Sequence, residues 1–192
     1  MSGQPVTAVE RLTQFAGTDL EDLCDAAEAA IEAGGGFGWV RPPRRAVFEA
    51  YWKGVLLVPE RQLFVARLDG TIAGSAQLVR PPRNNEAQGH QAQLTTCFVA
   101  PWARRRGLAK RMVLAAEQAA RAAGFLVVNL DIRDSQSAAL GLYEGLGYTC
   151  WGKHPCYARV DGRLVRGRFF YKVVDTEAME RMARAGEGDA EP

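Results

Sequence analysis

The chain has only two histidines, His90 and His154, among its 192 residues, and only four cysteines, Cys24, Cys97, Cys150 and Cys156. No two of the cysteines form a C-x-x-C pair. That scarcity argues against a zinc site and against a disulfide-stapled domain. Free thiols in a reducing, cytoplasmic setting are the expectation. An excess of charge is lacking too, since 24 Lys and Arg against 22 Asp and Glu leave a net charge of +2. The chain as a whole therefore gives no electrostatic reason to expect a nucleic-acid partner. No apolar run is long enough to span a bilayer, and no basic segment followed by an apolar core opens the chain, so neither a membrane span nor a signal peptide is expected. No internal repeat is seen, and no second core is expected.

What is present has the balance of a globular domain, 47% hydrophobic and 24% charged. Alternation around Val6, Val9 and Leu12 predicts a first strand over 6–15. Thr18 or Asp19 is placed to cap a helix running to Ile31, ended by the glycines at 34–36. An aromatic loop, Phe37-Gly38-Trp39-Val40, leads to a second helix over 45–56 with Val47, Tyr51, Trp52 and Val55 on its apolar side. Strands are predicted at 63–68 and 71–79 around the turn Asp69-Gly70, with Gly74 marking a bulge or a close approach. After a polar loop at 80–90 come a strand at 91–99 and a helix at 107–123. The apolar run 125–132 reads as a strand buried on both faces. A helix at 136–145 and closing strands around an Asp161-Gly162 turn follow. The fold class is α/β (or α+β), a mixed sheet with helices on its faces, in one domain over 4–175. Residues 176–192 are polar and small and read as a frayed tail.

The most informative stretch joins the strand Leu94-Thr95-Thr96-Cys97-Phe98-Val99 to the helix that follows, through Ala100-Pro101-Trp102-Ala103-Arg104-Arg105-Arg106-Gly107-Leu108-Ala109-Lys110. The first backbone N–H groups of a helix lack internal acceptors, and the helix dipole is positive there. Gly107 and Ala109 leave room for an anion to approach the backbone, and Arg104, Arg105 and Arg106 add charge. A second segment, Gln136-Ser137-Ala138-Ala139-Leu140-Gly141-Leu142-Tyr143-Glu144-Gly145-Leu146-Gly147-Tyr148, places Ala139, Leu142 and Tyr143 on one helix face.

The R-x-x-G-x-A pattern of Arg104, Gly107 and Ala109 resembles the coenzyme A pyrophosphate loop of the GNAT superfamily of N-acetyltransferases. The second segment resembles that family's N-x-x-A-x-x-L-Y-E-x-x-G-F/Y signature, with Gln136 standing where the signature has Asn. The resemblance implies a mostly antiparallel sheet with a splayed parallel strand pair, and acetyl-CoA as cofactor. It implies that Cys97, Phe98 and Val99 hold the pantetheine arm through their backbone. Arg104, Arg105, Arg106, Gly107, Leu108, Ala109 and Lys110 would hold the pyrophosphate, with Gln136 and Ala139 lending further contacts. Tyr143 would stand beside the coenzyme A sulfur, where a phenol can donate a proton to a departing thiolate. The same resemblance gives the Cys97 strand's backbone the binding role, which argues against an acetyl-cysteine intermediate.

A base must take a proton from an ammonium acceptor. The strand before the arginines offers Gln91, Gln93, Thr95 and Thr96 but no acid, so Asp131 is the best-placed carboxylate, partly desolvated at the end of its strand. Asp131 can instead pair with Arg133 or cap a turn, and a water relay, His90 or Asp134 are alternatives, although Asp134 is better placed to cap the next helix. From about residue 20 to 174 the chain is also similar to tabtoxin-resistance-like acetyltransferases, which act on a small amino-acid-like toxin. That group commonly has Glu where this chain has Gln93. Phe37, Trp39, Gln93 and Tyr157 are the expected acceptor-binding residues, whereas Trp52 is expected in the core. The expected partner is a small-molecule amine, and the chain is expected as a monomer or homodimer. A catalytically weak acyl-CoA-binding module of the same fold is the alternative reading.

Overall fold

A computed structural model describes residues 5–35 and 37–188. In chain order the elements are β1 (Thr7–Leu12), α1 (Asp19–Glu32), α2 (Arg45–Leu57), β2 (Arg61–Leu68), β3 (Thr71–Val79), β4 (Gln91–Val99), α3 (Leu108–Ala122), β5 (Val127–Arg133), α4 (Ser137–Gly145), β6 (Thr149–Val160), β7 (Arg163–Val173) and α5 (Thr176–Gly188). The strands form one seven-stranded sheet in the order β1-β2-β3-β4-β5-β7-β6. Every neighbouring pair is antiparallel except β4 and β5, which run parallel. This is the mixed sheet expected from the element order.

A second core, not expected from the sequence, follows from the period-2 alternation of the strands, which buries one cluster on each face of the sheet. On β2, Leu63 and Val65 face α1 and α2, and Phe64, Ala66 and Leu68 face the opposite side. The first core is closed by Leu23, Ala27 and Ile31 of α1 and by Phe48, Trp52 and Val55 of α2. The second is closed by Leu108, Met112, Val113 and Ala116 of α3 and by Leu140 and Tyr143 of α4. Each large side chain so buried contributes roughly 1.5–3 kcal/mol. The expected apolar face of α2 needs one correction: Val47 is 49% exposed, and Phe48 takes the buried place, because Phe48, Trp52 and Val55 follow helical spacing.

The centre of the sheet is built to part. β4 and β5 pair only at Gln91↔Val127, Ala92↔Val128 and Gln93↔Asn129. Beyond Gln93, β4 bulges toward β3, where the register shifts between Ser75 and Gln77 and Thr96 takes a φ of +52°. The Ser75 hydroxyl donates to the Thr96 carbonyl at 3.1 Å. Gly74 makes the close approach expected of it, since a Cβ there would lie 2.4 Å from the Phe98 carbonyl oxygen.

Other expectations are revised. The first strand ends at Leu12 rather than at 15. β5 is not buried on both faces: Val128 and Leu130 are buried while Asp131 is exposed, because one face borders open space. Asp134 does not cap α4; it accepts from Arg168 Nε at 2.6 Å and lies 3.5 Å from Arg166 Nε. The residues from Thr176 to Gly188, expected as a frayed tail, form α5, and the Asp175 carboxylate accepts from the Ala178 N–H at 2.9 Å at its start. Gly36 and residues 189–192 lie outside the described residues.

Candidate active site

The gap left where β4 and β5 part continues to the N-terminus of α3. Arg105 and Gly107 both take left-handed conformations, φ +64° and +72°, and the helix starts with the Arg111 N–H on the Gly107 carbonyl at 3.1 Å. That turn leaves the first-turn N–H groups of Leu108, Ala109 and Lys110 without intrahelical acceptors. Gly107 is required by conformation rather than by space, because a Cβ there would meet nothing within 4 Å. Arg104 is held by donating from Nε to the Val99 carbonyl at 3.2 Å.

A cavity of about 1040 Å³ runs from this turn to the parted strands. It is lined by Cys97, Phe98, Val99, Arg104, Arg105, Gly107, Leu108, Ala109, Lys110, Gln136, Ala139 and Tyr143. Every expected cofactor residue is thus on this wall except Arg106, which is exposed and does not line it. Gln136 is placed differently from expectation in one respect. Its Nε2 donates to the Gly34 carbonyl at 2.6 Å, which ties the α1–α2 loop to the start of α4.

A second cavity, of about 540 Å³, adjoins the first along a shared wall that includes Cys97, Tyr143, Gln136 and Trp39. Phe37, Trp39, Asp131 and Tyr157 line it. Phe37 stacks on Phe98 at 4.6 Å, and Trp39 stands edge-on to Tyr51 at 4.9 Å and to Phe48 at 5.1 Å, so both rings wall the cavity and also pack on the first core. Trp52 is fully buried, as expected. Gln93 does not line the cavity but lies behind its acid, donating from Nε2 to Asp131 Oδ1 at 2.9 Å. The Tyr157 hydroxyl donates to Asp131 Oδ2. Asp131 is therefore exposed to the cavity and bonded at both oxygens, not desolvated as its strand position suggested. His90 is exposed and lines neither cavity. Sequence reading missed Arg159 and the cavity position of Arg133. The signal was available in the i, i+2 spacing of Asp131 with Arg133 and of Tyr157 with Arg159, which puts each pair on one strand face.

The junction itself is protonated at neutral pH. Burial holds the Tyr143 hydroxyl well above the ordinary tyrosine range, and its neighbour Cys97 adds to the effect through charge and a hydrogen bond between the two side chains. Burial likewise pushes the Cys97 thiol up to about 11, against a smaller lowering by Tyr143. A thiol so raised is a poor nucleophile, since the thiolate is the reactive form. Tyr148, edge-on to Tyr143 at 5.5 Å, is raised as well, by burial and then by Glu117.

Among the described residues, no helix is long and apolar enough to cross a membrane, and no group of three or more His, Cys, Asp or Glu residues could hold a metal ion. The model of the acetyltransferase (GNAT) family matches residues 21–148. A protein of Azospirillum brasilense, described as an uncharacterized N-acetyltransferase in the hisH–hisA intergenic region, is 66% identical over 128 residues, covering 67% of this chain and 76% of its own. Among solved structures, an N-acetyltransferase from Staphylococcus aureus Mu50 superposes with a TM-score of 0.75 at 16% identity, over 88% of this chain and 99% of that one. The structure of yncA from Salmonella typhimurium, solved with its cofactor acetyl-CoA, gives a TM-score of 0.72 at 18% identity, over 90% and 96%. On the family match and the Azospirillum relative, the chain belongs to the acetyltransferase (GNAT) family.

Proposed function

We propose that the protein transfers an acetyl group from acetyl-CoA to the primary amine of a small, amino-acid-like molecule, by direct attack in a complex that holds both. The observation that carries this reading is the pair of cavities that adjoin along a wall including Tyr143 and Cys97, one running to an anion-binding helix start and the other lined by an exposed carboxylate. The larger cavity fits the cofactor's parts. The β4 backbone that has left β5 faces the gap with polar groups suited to the pantetheine amides, and the left-handed turn at Gly107 presents the α3 N–H groups to a pyrophosphate. Acetyl-CoA supplies an activated acetyl thioester when bound.

The remaining tasks fall to the chain. Arg105 and Lys110 add positive charge beside the turn. Tyr143, kept protonated by burial, holds a proton at Oη for a departing sulfur. Asp131 faces the acceptor cavity and takes the proton that an ammonium must lose before it can attack. Holding the two reactants side by side contributes the largest share of the acceleration. The raised Cys97 thiol supports direct transfer over an acetylated enzyme. The amino-acid-like acceptor draws on the resemblance to tabtoxin-resistance-like acetyltransferases and on the mixed charge of the cavity, where Asp131 lies with Arg133 and Arg159.

The test is release of coenzyme A thiol from acetyl-CoA in the presence of a panel of amino acids, polyamines and amino sugars. Turnover on an amino-acid-like amine is expected. Thermal stabilisation by acetyl-CoA without turnover on any amine of the panel overturns the reading.

A further inference from the structure

Tyr157 reaches Asp131 across an intervening strand. β7 lies between β6 and β5, and Asp131 pairs with Phe169 of β7 while Arg133 pairs with Gly167. On the other edge of β7, His154 of β6 pairs with Gly167, the register then shifts, and pairing resumes at Ala158↔Val165. The residues between, Pro155, Cys156 and Tyr157, stand opposite Arg166 alone, and the Cys156 N–H turns back onto His154 Nδ1 at 3.0 Å. This bulge lays the Tyr157 ring over β7 at Gly167. A Cβ on Gly167 would lie 2.2 Å from Tyr157 Cγ, 2.5 Å from Cδ1 and 2.7 Å from Cδ2. Gly167 is thus required by close approach, and any side chain there evicts the ring. Phe169 supports the ring edge-on at 5.9 Å.

We propose that Tyr157 is a positioning residue for Asp131, seated in a notch that Gly167 leaves in β7, and that together with Gln93 it clamps the carboxylate in one rotamer facing the acceptor cavity. The proposal rests on the reading of Asp131 as the base. Gln93 Nε2 donates to one carboxylate oxygen at 2.9 Å and the Tyr157 hydroxyl to the other, so the group is bonded from β4 and from β6 at once. Burial, and next the bond to Asp131, raise the Tyr157 hydroxyl above the ordinary tyrosine range, which keeps it a donor. A bonded carboxylate presents a fixed direction to the amine, and orientation of this kind is part of the catalytic advantage.

The experiment is a double-mutant cycle on the full chain, read by thiol release from acetyl-CoA with the amine of the panel that turns over fastest. Tyr157→Phe keeps the ring and removes the donor. It is expected to lower kcat about tenfold with the KM for acetyl-CoA unchanged, and to cost nothing more once Asp131 is Asn. Gly167→Ala is expected to match the loss of Tyr157→Phe. Where that variant fails to fold, Gly167→Ala in a Tyr157→Ala background keeps the notch testable, because its melting temperature then equals that of Tyr157→Ala alone. A Tyr157→Phe loss that persists in full beside Asp131→Asn overturns the proposal, as does a kcat that Tyr157→Phe leaves unchanged. A downfield hydroxyl proton resonance, present in the wild type and lost in Tyr157→Phe, Asp131→Asn and Gly167→Ala, reports the clamp without turnover. Its survival in Gly167→Ala overturns the notch. Full activity of Asp131→Asn with that resonance behaving as stated overturns the assignment of the base and leaves the clamp standing.

Discussion

Lys172 Nζ on β7 lies 2.6 Å from Glu117 Oε2 on α3, an ion pair whose side chains are only 23% and 11% exposed. It ties the helix that begins after the left-handed turn at Gly107 to the half of the sheet that carries Asp131. Lys172 also sits 5.5 Å above the Tyr148 ring, which packs edge-on against Tyr143. The buried Tyr148 hydroxyl faces Glu117 as well, and after burial the charge of Glu117 and a hydrogen bond to it are what raise the phenol.

Removing one partner of that pair leaves a buried charge uncompensated. Lys172→Met is expected to destabilise the protein by about 3–5 kcal/mol, and the double change Lys172→Met with Glu117→Leu by much less. Urea unfolding of the two variants measures the difference.

Acid should loosen the start of α1. Asp19 accepts from Arg67 Nη1 at 2.6 Å and from the Ala16 N–H at 3.1 Å, and chiefly the Arg67 bond, against burial, lowers it from its ordinary 3.8. A carboxyl lowered in the folded state adds stability that is present above the unfolded value and is lost as pH falls through the folded one. The wild type should therefore lose stability below about pH 3.8 more steeply than Asp19→Asn, which should already cost about 1–3 kcal/mol at neutral pH. Melting temperatures against pH test both statements.

Tyr143→Phe keeps the ring against Tyr148 and removes the proton from the junction of the cavities. A fall in kcat of about a hundredfold is expected, with little change in the affinity for acetyl-CoA. An unchanged kcat would remove Tyr143 from the role of acid.

The turn before α3 separates backbone from charge. Gly107→Val forces a β-branched residue into a left-handed conformation and should weaken acetyl-CoA binding at least about tenfold. Arg105→Gly keeps the left-handed backbone and removes only the guanidinium, so a loss of about twofold to fivefold is expected, one that shrinks as salt is raised. Calorimetric titration with acetyl-CoA at two salt concentrations distinguishes them, and equal losses would refute a backbone-dominated site.

The parts legible in the sequence are those in which chemistry and local structure coincide. Gly107 announced the left-handed turn and the helix start, and Tyr143 lay on a helix face whose spacing fixed its direction. Gly74 marked a close approach that the bulge in β4 confirms. The contacts that were not legible depend on chain segments far apart. Tyr157 meets Asp131 because β6 bulges over a glycine of β7, and no local pattern encodes that curl. Asp134 precedes a helix and looks like a cap, yet two arginines of β7 outcompete the helix for it. The start of α5 turned on Asp175, whose capping bond was hidden in a stretch read by its polar composition.

The short pairing of β4 with β5 has a mechanical consequence. Three rungs join two half-sheets, one of β1 to β4 and the other of β5, β7 and β6. The seam between them is the line along which the molecule is least stitched, and amides flanking it should exchange with solvent before those of β2 and β3. Acetyl-CoA lying in the gap against both banks would suture the halves. Occupancy and cohesion then become one equilibrium, in which ligand at a hundredfold excess over its dissociation constant adds about 2.7 kcal/mol to the whole fold.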